Sequence, residues 1–98
     1  MLGFAMRAGR VIVGADLVAT AMAKRGKEKP RLVLVSSDAS EATKKRAFSK
    51  SEFYGIEALE IEVGQDDLGR LLGKTYAPVV IGITDDRFAE EIKRAINL

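Results

Sequence analysis

Residues 10–20 read RVIVGADLVAT, and this stretch decides what kind of fold the chain adopts. Residues 10–13 form a short β-branched run, which favours a strand. Gly14 ends the run, and the apolar residues of 16–25 then recur at helical spacing. The stretch predicts a strand that turns directly into a helix, with the unpaired N–H groups of the helix N-terminus lying above the strand end.

The alternation of strand and helix patterns continues along the rest of the chain. A short helix is predicted before the first strand, over residues 2–8, with Gly9 as its C-terminal glycine. Further strands are predicted at 31–37, 56–63 and 77–84, and further helices at 38–55, 65–73 and 85–97. This order predicts an α/β domain with helices on both faces of a sheet. No repeat, low-complexity tract or linker interrupts it, so residues 1–98 are predicted to form a single domain.

Polar residues at the predicted helix starts indicate caps. Asp38 or Ser40 is the expected N-cap of the helix over 38–55, and Glu41 stands three residues after Asp38, as in a capping box. The acidic pairs 66–67 and 85–86 each open a predicted helix. We therefore interpret them as helix caps and dipole partners rather than as metal or acid–base carboxylates.

The composition excludes several kinds of site. Hydrophobic residues make up 47% and charged residues 31% of the chain, which is typical of a folded soluble protein. There is no cysteine and no histidine, so disulfides, thiolate zinc sites and histidine general bases are excluded. No signal peptide or membrane span is recognisable. We expect a cytoplasmic protein without a cofactor or a metal, and not an enzyme.

The charge is distributed unevenly along the chain. Residues 1–50 carry eleven Lys and Arg against four Asp and Glu, whereas residues 51–98 carry five against ten. Five of the basic residues fall within positions 24–31. This density indicates a surface that contacts the phosphates of a nucleic acid. The alternative is that the two halves interleave in the fold and the asymmetry averages out.

Two further patterns have less specific interpretations. Gly9 and Gly14 have the spacing of a nucleotide phosphate loop, but Ala15 and Asp16 stand where Lys and Ser or Thr are required, so we reject that function. The basic residues 43–46 and Lys50 are most simply a solvated helix face.

Four segments together resemble the ribosomal protein L7Ae superfamily, and specifically its small bacterial YlxQ-like branch. They are LGFAMRAGRVIVG (2–14), LVLVSSDASEATKKR (32–46), DDLGRLLGK (66–74) and VVIGITDDRFAEEI (79–92). The resemblance covers nearly the whole chain. It implies an α/β/α sandwich around a four-stranded mixed sheet. It also implies a non-catalytic RNA-binding module, typically for kink-turns, and an association with the ribosome. Relatives carry a few residues more before the first helix, so a start upstream of Met1 is an alternative.

The family's RNA-reading motif has the form G-x-N-E-x-x-K and falls on the helix start quoted first. Gly14 takes the glycine position, whereas Asp16, Leu17 and Thr20 replace the Asn, the Glu and the Lys. An ionised Asp only accepts hydrogen bonds, Leu17 cannot accept from a guanine amino group, and Thr20 carries no charge. The resemblance therefore implies RNA binding at this place, with the family's usual kink-turn contacts altered.

The resemblance also implies that the loop 74–78 packs against a flipped-out base, with Tyr76 available for stacking. We expect Asp16, Thr20 and Tyr76 to meet bases and the cations to contact phosphates. A protein-interaction module that kept the fold and lost the RNA is the main alternative, and a small-molecule site at the helix N-terminus is a weaker one. The predicted RNA-binding residues are Arg7, Arg10, Gly14, Ala15, Asp16, Leu17, Thr20, Lys24, Lys27, Lys44, Lys74, Tyr76, Ala77 and Pro78.

Overall fold

A four-stranded mixed sheet forms the centre of the protein. The computed structural model describes residues 9–71 and 78–96, so the helix expected at 2–8 and the loop residues 72–77 lie outside it. The strands lie in the order β1–β4–β2–β3, with β2 and β3 parallel and β4 antiparallel to both of its neighbours. Their bounds are β1 Val11–Val13, β2 Leu32–Ser36, β3 Glu57–Ile61 and β4 Val80–Ile83.

Helices cover both faces of the sheet, as the sequence predicted. In the described part of the chain they are α1 Ala15–Met22, α2 Glu41–Phe53, α3 Gln65–Leu71 and α4 Asp86–Ile96, with a 3₁₀ turn at Gly26–Glu28. Val18 and Met22 of α1 pack with Val33 and Val35 of β2 on one face. Leu34 of β2 belongs to the core on the other face, which α3 and α4 cover. None of the helices in the described ranges has the length and apolar content needed to span a membrane.

Residues of β2 and β4 alternate between the two cores. Every residue of both strands is buried, because each strand has a neighbour on both sides and helices above and below. This arrangement explains the continuous apolar runs LVLV and VVIGI in the sequence. β1 and β3 are the edge strands and are more exposed.

Of the two expected N-caps of α2, Ser40 is confirmed, whereas Asp38 with its capping box is wrong. Ser40 is the N-cap of α2, and its Oγ accepts a hydrogen bond from the backbone N–H of Thr43 at 3.2 Å. The Asp38 carboxylate instead caps α3, accepting from the backbone N–H of Gln65 at 3.0 Å. The cause is the buried Ser36 hydroxyl, which accepts from the Asp38 N–H and turns the chain toward α3. A cap 27 residues away in sequence has no local signature.

The other acidic helix starts agree with the sequence interpretation in full at α4, and at α3 only as dipole partners, since Asp38 supplies the cap there. Asp85 accepts from the backbone N–H groups of Arg87 and Phe88, and Asp66 and Asp67 lie in the first turn of α3. These carboxylates complement the helix dipoles.

α1 is shorter than predicted at its C-terminal end. It ends at Met22 rather than at Arg25. The N–H of Lys24 donates to the carbonyl of Ala21, three residues back instead of the four of an α-helix. Gly26 then adopts a φ of 74°. The cations that follow α1 therefore project from a loop and not from a helix face.

Gly82 in β4 sets the distance between the sheet and α1. A Cβ added there would lie 3.5 Å from Cγ2 of Val18 and 3.3 Å from Cβ of Pro30. Both neighbours are themselves buried. The absence of a side chain at this position therefore lets α1 and the segment before β2 approach the strand closely.

We predict that Gly82→Val destabilises the protein by about 1–3 kcal/mol, because the added methyl groups overpack a filled core. Thermal unfolding would show a fall in Tm of several degrees. At an uncrowded strand position the same change raises stability, since valine is the better strand former. The sign of the change thus tests the close approach, and an increase in Tm would contradict it.

Candidate nucleic-acid interface

The strand-to-helix junction at Gly14 places the N-terminus of α1. The Gly14 N–H donates to the carbonyl of Val80 at 2.9 Å, which extends the pairing of β1 with β4 by one bond. Gly14 has φ 107° and ψ 141°, and its own carbonyl accepts from the Val18 N–H at 3.0 Å. No side chain of the described residues caps this helix. The first backbone N–H groups of α1 therefore remain available to an acceptor from outside.

The first two turns of α1 present one acidic, one apolar and one hydroxyl side chain. Asp16 and Thr20 are exposed, and the Thr20 hydroxyl donates to the Asp16 carbonyl at 3.0 Å. Leu17 is also largely exposed, with 63% of its surface accessible to solvent. These two turns therefore offer a surface with both polar and apolar contacts.

An open groove of about 340 Å³ runs beside these two turns. It joins the start of β1, the exposed side of α1, the loop after α1 and the end of β4. Its lining residues are Gly9, Arg10, Ile12, Leu17, Thr20, Ala21, Lys24, Lys27, Glu28 and Thr84. The structure thus brings together five of the predicted RNA-binding residues: Arg10, Leu17, Thr20, Lys24 and Lys27. Gly14, Ala15 and Asp16 lie at the adjoining helix start.

The cations of the groove are only weakly held by the protein itself. Arg10 Nε lies 3.8 Å from Asp85 Oδ2, and Lys24 Nζ lies 3.7 Å from Glu28 Oε2. Lys27 forms no ion pair with the described residues. Exposed pairs of this kind contribute roughly 0–1 kcal/mol. A phosphate can therefore replace either carboxylate at little cost.

The alternative that the basic and acidic halves of the sequence interleave in the fold is correct in part. Arg10, Arg31 and Lys44 come from the basic half of the sequence, and each pairs with a carboxylate from the acidic half. Other basic residues form no ion pair within 9–71 and 78–96; they are Arg25, Lys27, Lys29, Lys45, Arg46 and Lys50. The folded protein therefore keeps a net positive surface on α2 and on the loop after α1.

Lys44 does not lie at the groove. Its Nζ is 3.5 Å from Glu60 of β3 and 3.6 Å from Glu41, and β3 is the edge strand opposite β1. Near the same edge, Lys93 contacts Glu90 and Glu57, and hydrogen bonds to these two carboxylates raise the pKa of its ammonium group. The cations of this edge are thus already paired with acids.

The remaining predicted residues belong to the loop before β4 and to the N-terminal segment. Pro78 lies two residues before β4 and is buried, so it offers little side-chain surface to a ligand. Arg7, Lys74, Tyr76 and Ala77 lie outside the described residues.

Sequence reasoning missed the residues that complete the groove. Ile12, Glu28 and Thr84 line it but carry no motif. Thr84 reaches the site because its N–H donates to the Arg10 carbonyl at 2.9 Å, across the antiparallel pair β1–β4. No local sequence pattern predicts this pairing of β1 with β4. In the described ranges there is also no group of three or more His, Cys, Asp or Glu side chains that could hold a metal ion.

The fold and the glycine-led helix start agree with the family that the sequence resembles. The protein belongs to the Ribosomal protein L7Ae/L30e/S12e/Gadd45 family, whose profile matches residues 1–93. A relative from Enterococcus faecium, named RNA-binding protein YlxQ, is 36% identical over 97 residues, covering 99% of this chain and 88% of the relative. A protein of the same name from Bacillus subtilis strain 168 is 36% identical over 92 residues, covering 94% and 87%.

Solved structures share the fold. A protein of unknown function from Bacillus halodurans superposes with a TM-score of 0.87 at 34% identity, covering 99% of this chain and 93% of that one. The Giardia lamblia 15.5kD RNA binding protein superposes with a TM-score of 0.76 at 16% identity, covering 98% and 78%. The second likeness is one of fold alone. The predicted α/β/α sandwich with a four-stranded mixed sheet is confirmed.

We predict that Gly14→Asn costs about 1–3 kcal/mol of stability, because φ 107° with ψ 141° lies in a region that only glycine occupies readily. The matched control is Gly55→Asn. Gly55 has φ 68°, a value that asparagine tolerates better than other residues. Denaturant unfolding of both variants measures the difference. Equal losses at the two positions would contradict a special role for the Gly14 conformation.

Proposed function

We propose that this protein is a non-catalytic, cytoplasmic RNA-binding protein of the translation apparatus. It holds structured RNA against the groove beside α1. The observation that carries the proposal is the meeting of an uncapped helix N-terminus with Arg10, Lys24 and Lys27 around one open groove. The names of the Enterococcus faecium and Bacillus subtilis relatives support it.

The groove divides the work of binding between two kinds of contact. The side chains of Arg10, Lys24 and Lys27 reach phosphate oxygens, which supplies affinity and positions the RNA. The free N–H groups of the first turn of α1 add donors for a phosphate or a base edge. Asp16, Leu17 and Thr20 then face the bases, since they occupy the exposed side of the first two turns of α1.

The base contacts of this protein differ from those of the family motif. The Asp16 carboxylate can accept from an exocyclic amino group, as in cytosine N4–H₂, but it cannot donate. Leu17 provides apolar contact, and the Thr20 hydroxyl is already engaged with the Asp16 carbonyl. The target is therefore structured RNA read mainly through its shape and backbone. A kink-turn is one candidate for such RNA.

One observation favours a second function. Asp16, the 63% exposed Leu17 and Thr20 together replace the three residues with which the family motif contacts RNA, so the usual base contacts are altered at once. On this alternative, the chain is a protein-interaction module that kept the fold. A pull-down whose partners survive nuclease treatment would support it over RNA binding.

The direct test is an electrophoretic mobility shift with three RNAs: a kink-turn, a plain duplex and fragments of ribosomal RNA. We expect binding at low salt with a steep salt dependence, and loss of about one unit of slope for each phosphate contact removed. Lys24→Gln/Lys27→Gln should therefore bind more weakly and with a slope lower by about 2.

The matched control for that pair is Arg87→Gln/Arg94→Gln on α4. It removes the same charge from exposed positions on the other face of the sheet. Absence of binding to all three RNAs at low salt would contradict the proposed function. Equal loss of affinity in the two double variants would contradict the placement of the RNA in the groove.

Restoring the family motif gives an independent prediction. Asp16→Asn/Leu17→Glu/Thr20→Lys should bind a kink-turn more tightly than the natural chain, by about 1–3 kcal/mol for each contact regained. The preference for the kink-turn over a plain duplex should rise with it. If the triple variant gains nothing for the kink-turn, α1 is not the element that reads it.

A further inference from the structure

Helix α2 carries a basic and aromatic stripe that the groove beside α1 does not use. Arg46, Lys50 and Phe53 follow one another at i, i+4 and i+7. At 100° per residue these positions fall within about 60° of one another on the helix surface. Arg46 and Lys50 are separated by about 6 Å along the axis. We name these three residues the α2 stripe.

The α2 stripe is not neutralised by the protein. Neither Arg46 nor Lys50 forms an ion pair within the described ranges of the chain, whereas Lys44 on the opposite side of α2 is held by two carboxylates. Glu52, the acidic residue next to the stripe in sequence, lies roughly a third of a turn away on the helix. The stripe therefore presents positive charge to solvent without a nearby acid on its own side of the helix.

Phe53 gives the stripe an exposed aromatic ring. Its side chain is 81% exposed, the highest value among the large hydrophobic residues of the described chain. Its ring meets that of Tyr54 edge to face, with centroids 4.9 Å apart and planes at 86°. Tyr54 in turn packs against the core below α1 and α2. Phe53 is thus a supported ring with most of its surface in solvent.

The loop after α1 brings further charge to the same end of α2. Lys29 Nζ donates to the carbonyl of Tyr54 at 3.1 Å. This bond satisfies a carbonyl at the C-terminus of α2 and places the basic loop beside Phe53. Lys29 of the loop and Phe53 of the stripe therefore lie at the same end of α2.

The α2 stripe also adjoins the helix that we propose as the RNA-reading element. Arg46 and Lys50 line a narrow crevice between α1 and α2, together with Ala15 and Ala19 of α1. Helices packed in this way lie about 8–10 Å apart. RNA in the groove on the far side of α1 can therefore continue across the small residues of α1 to the stripe.

We propose that the α2 stripe is a second RNA-contact surface, which holds a single-stranded segment that flanks the structured element. Arg46 and Lys50 contact backbone phosphates, and Phe53 stacks on an unpaired base, the combination that single-stranded nucleic acids favour. A protein partner would gain little from two unpaired cations spaced along an exposed helix, since its own carboxylates would have to supply the complement. The inference rests on the proposed RNA-binding function.

The test compares one structured RNA with and without a single-stranded extension of about ten nucleotides, a length in the range that one such surface occupies. We expect the natural chain to bind the extended RNA at least tenfold more tightly. Phe53→Ala should lose roughly 5- to 100-fold of affinity for the extended RNA and almost none for the blunt one. Arg46→Gln/Lys50→Gln should lower the salt slope for the extended RNA by about 1.4.

Arg87→Gln/Arg94→Gln on α4 is again the control, with the same change of charge. Arg46, Phe53, Arg87 and Arg94 are exposed and Lys50 is half-buried, so circular dichroism should show every variant folded. If the extension adds no affinity to the natural chain, or if the stripe variants behave as the α4 control does, the inference is overturned. Failure of the natural chain to bind even the blunt RNA would overturn the proposed function itself, so the two failures are distinguishable.

Ultraviolet cross-linking provides a readout of contact rather than of affinity. We expect a cross-link between Phe53 and a base of the extension, mapped by mass spectrometry of the digested complex. Cross-links from the extension to α4 and none to α2 would overturn the placement.

Discussion

The hydrogen bond from the Gly14 N–H to the Val80 carbonyl is the contact on which the candidate interface depends. It fixes Gly14, the residue after β1, against Val80, the first residue of β4, and the next peptide turns away from the sheet because Gly14 adopts a φ of 107°. The start of α1 therefore has a fixed position relative to β1 and β4. Its first N–H groups and the side chains of Asp16, Leu17 and Thr20 are placed by that one turn.

The packing beneath α1 makes this placement rigid. Val18 is fully buried against β4, where Gly82 leaves room for it, and Pro30 fills the other side of the same gap. β4 is itself held between β1 and β2. α1 is thus supported by the best-buried part of the protein, whereas the neighbouring cations Arg10 and Lys24 are held only by weak surface ion pairs. A rigid shape with adjustable charges suits recognition of a folded polyanion.

Local patterns in the sequence predicted most of the fold. The β-branched runs gave the four strands to within a few residues, since LVLV and VVIGI have no other stable place than the middle of a sheet. Apart from the C-terminal end of α1, which a local turn shortens, the places where prediction failed involve partners distant in sequence. Asp38 caps a helix that starts 27 residues later, and Lys44 turns toward Glu60 on a neighbouring strand.

The candidate site was predictable in outline because most of its residues lie close together in the sequence. The glycine-led helix start and the basic stretch 24–31 are continuous in sequence, so their proximity followed from a short connection. Thr84 joined the site through an antiparallel pairing that no local pattern encodes, and the exposure of Phe53 became visible only when the helix faces were known. The sequence alone predicts only an ordinary solvated face for the basic residues of α2.

NMR chemical-shift mapping of the backbone amides, with structured RNA added at low salt, tests the central claim most directly. The account predicts that the largest shifts fall on residues 14–17, on Thr20 and on the loop residues 24–27, with smaller ones at Arg10 and Thr84. The acidic edge around β3 should remain unchanged. Shifts concentrated on β3, α3 and α4, with none at the start of α1, would contradict it.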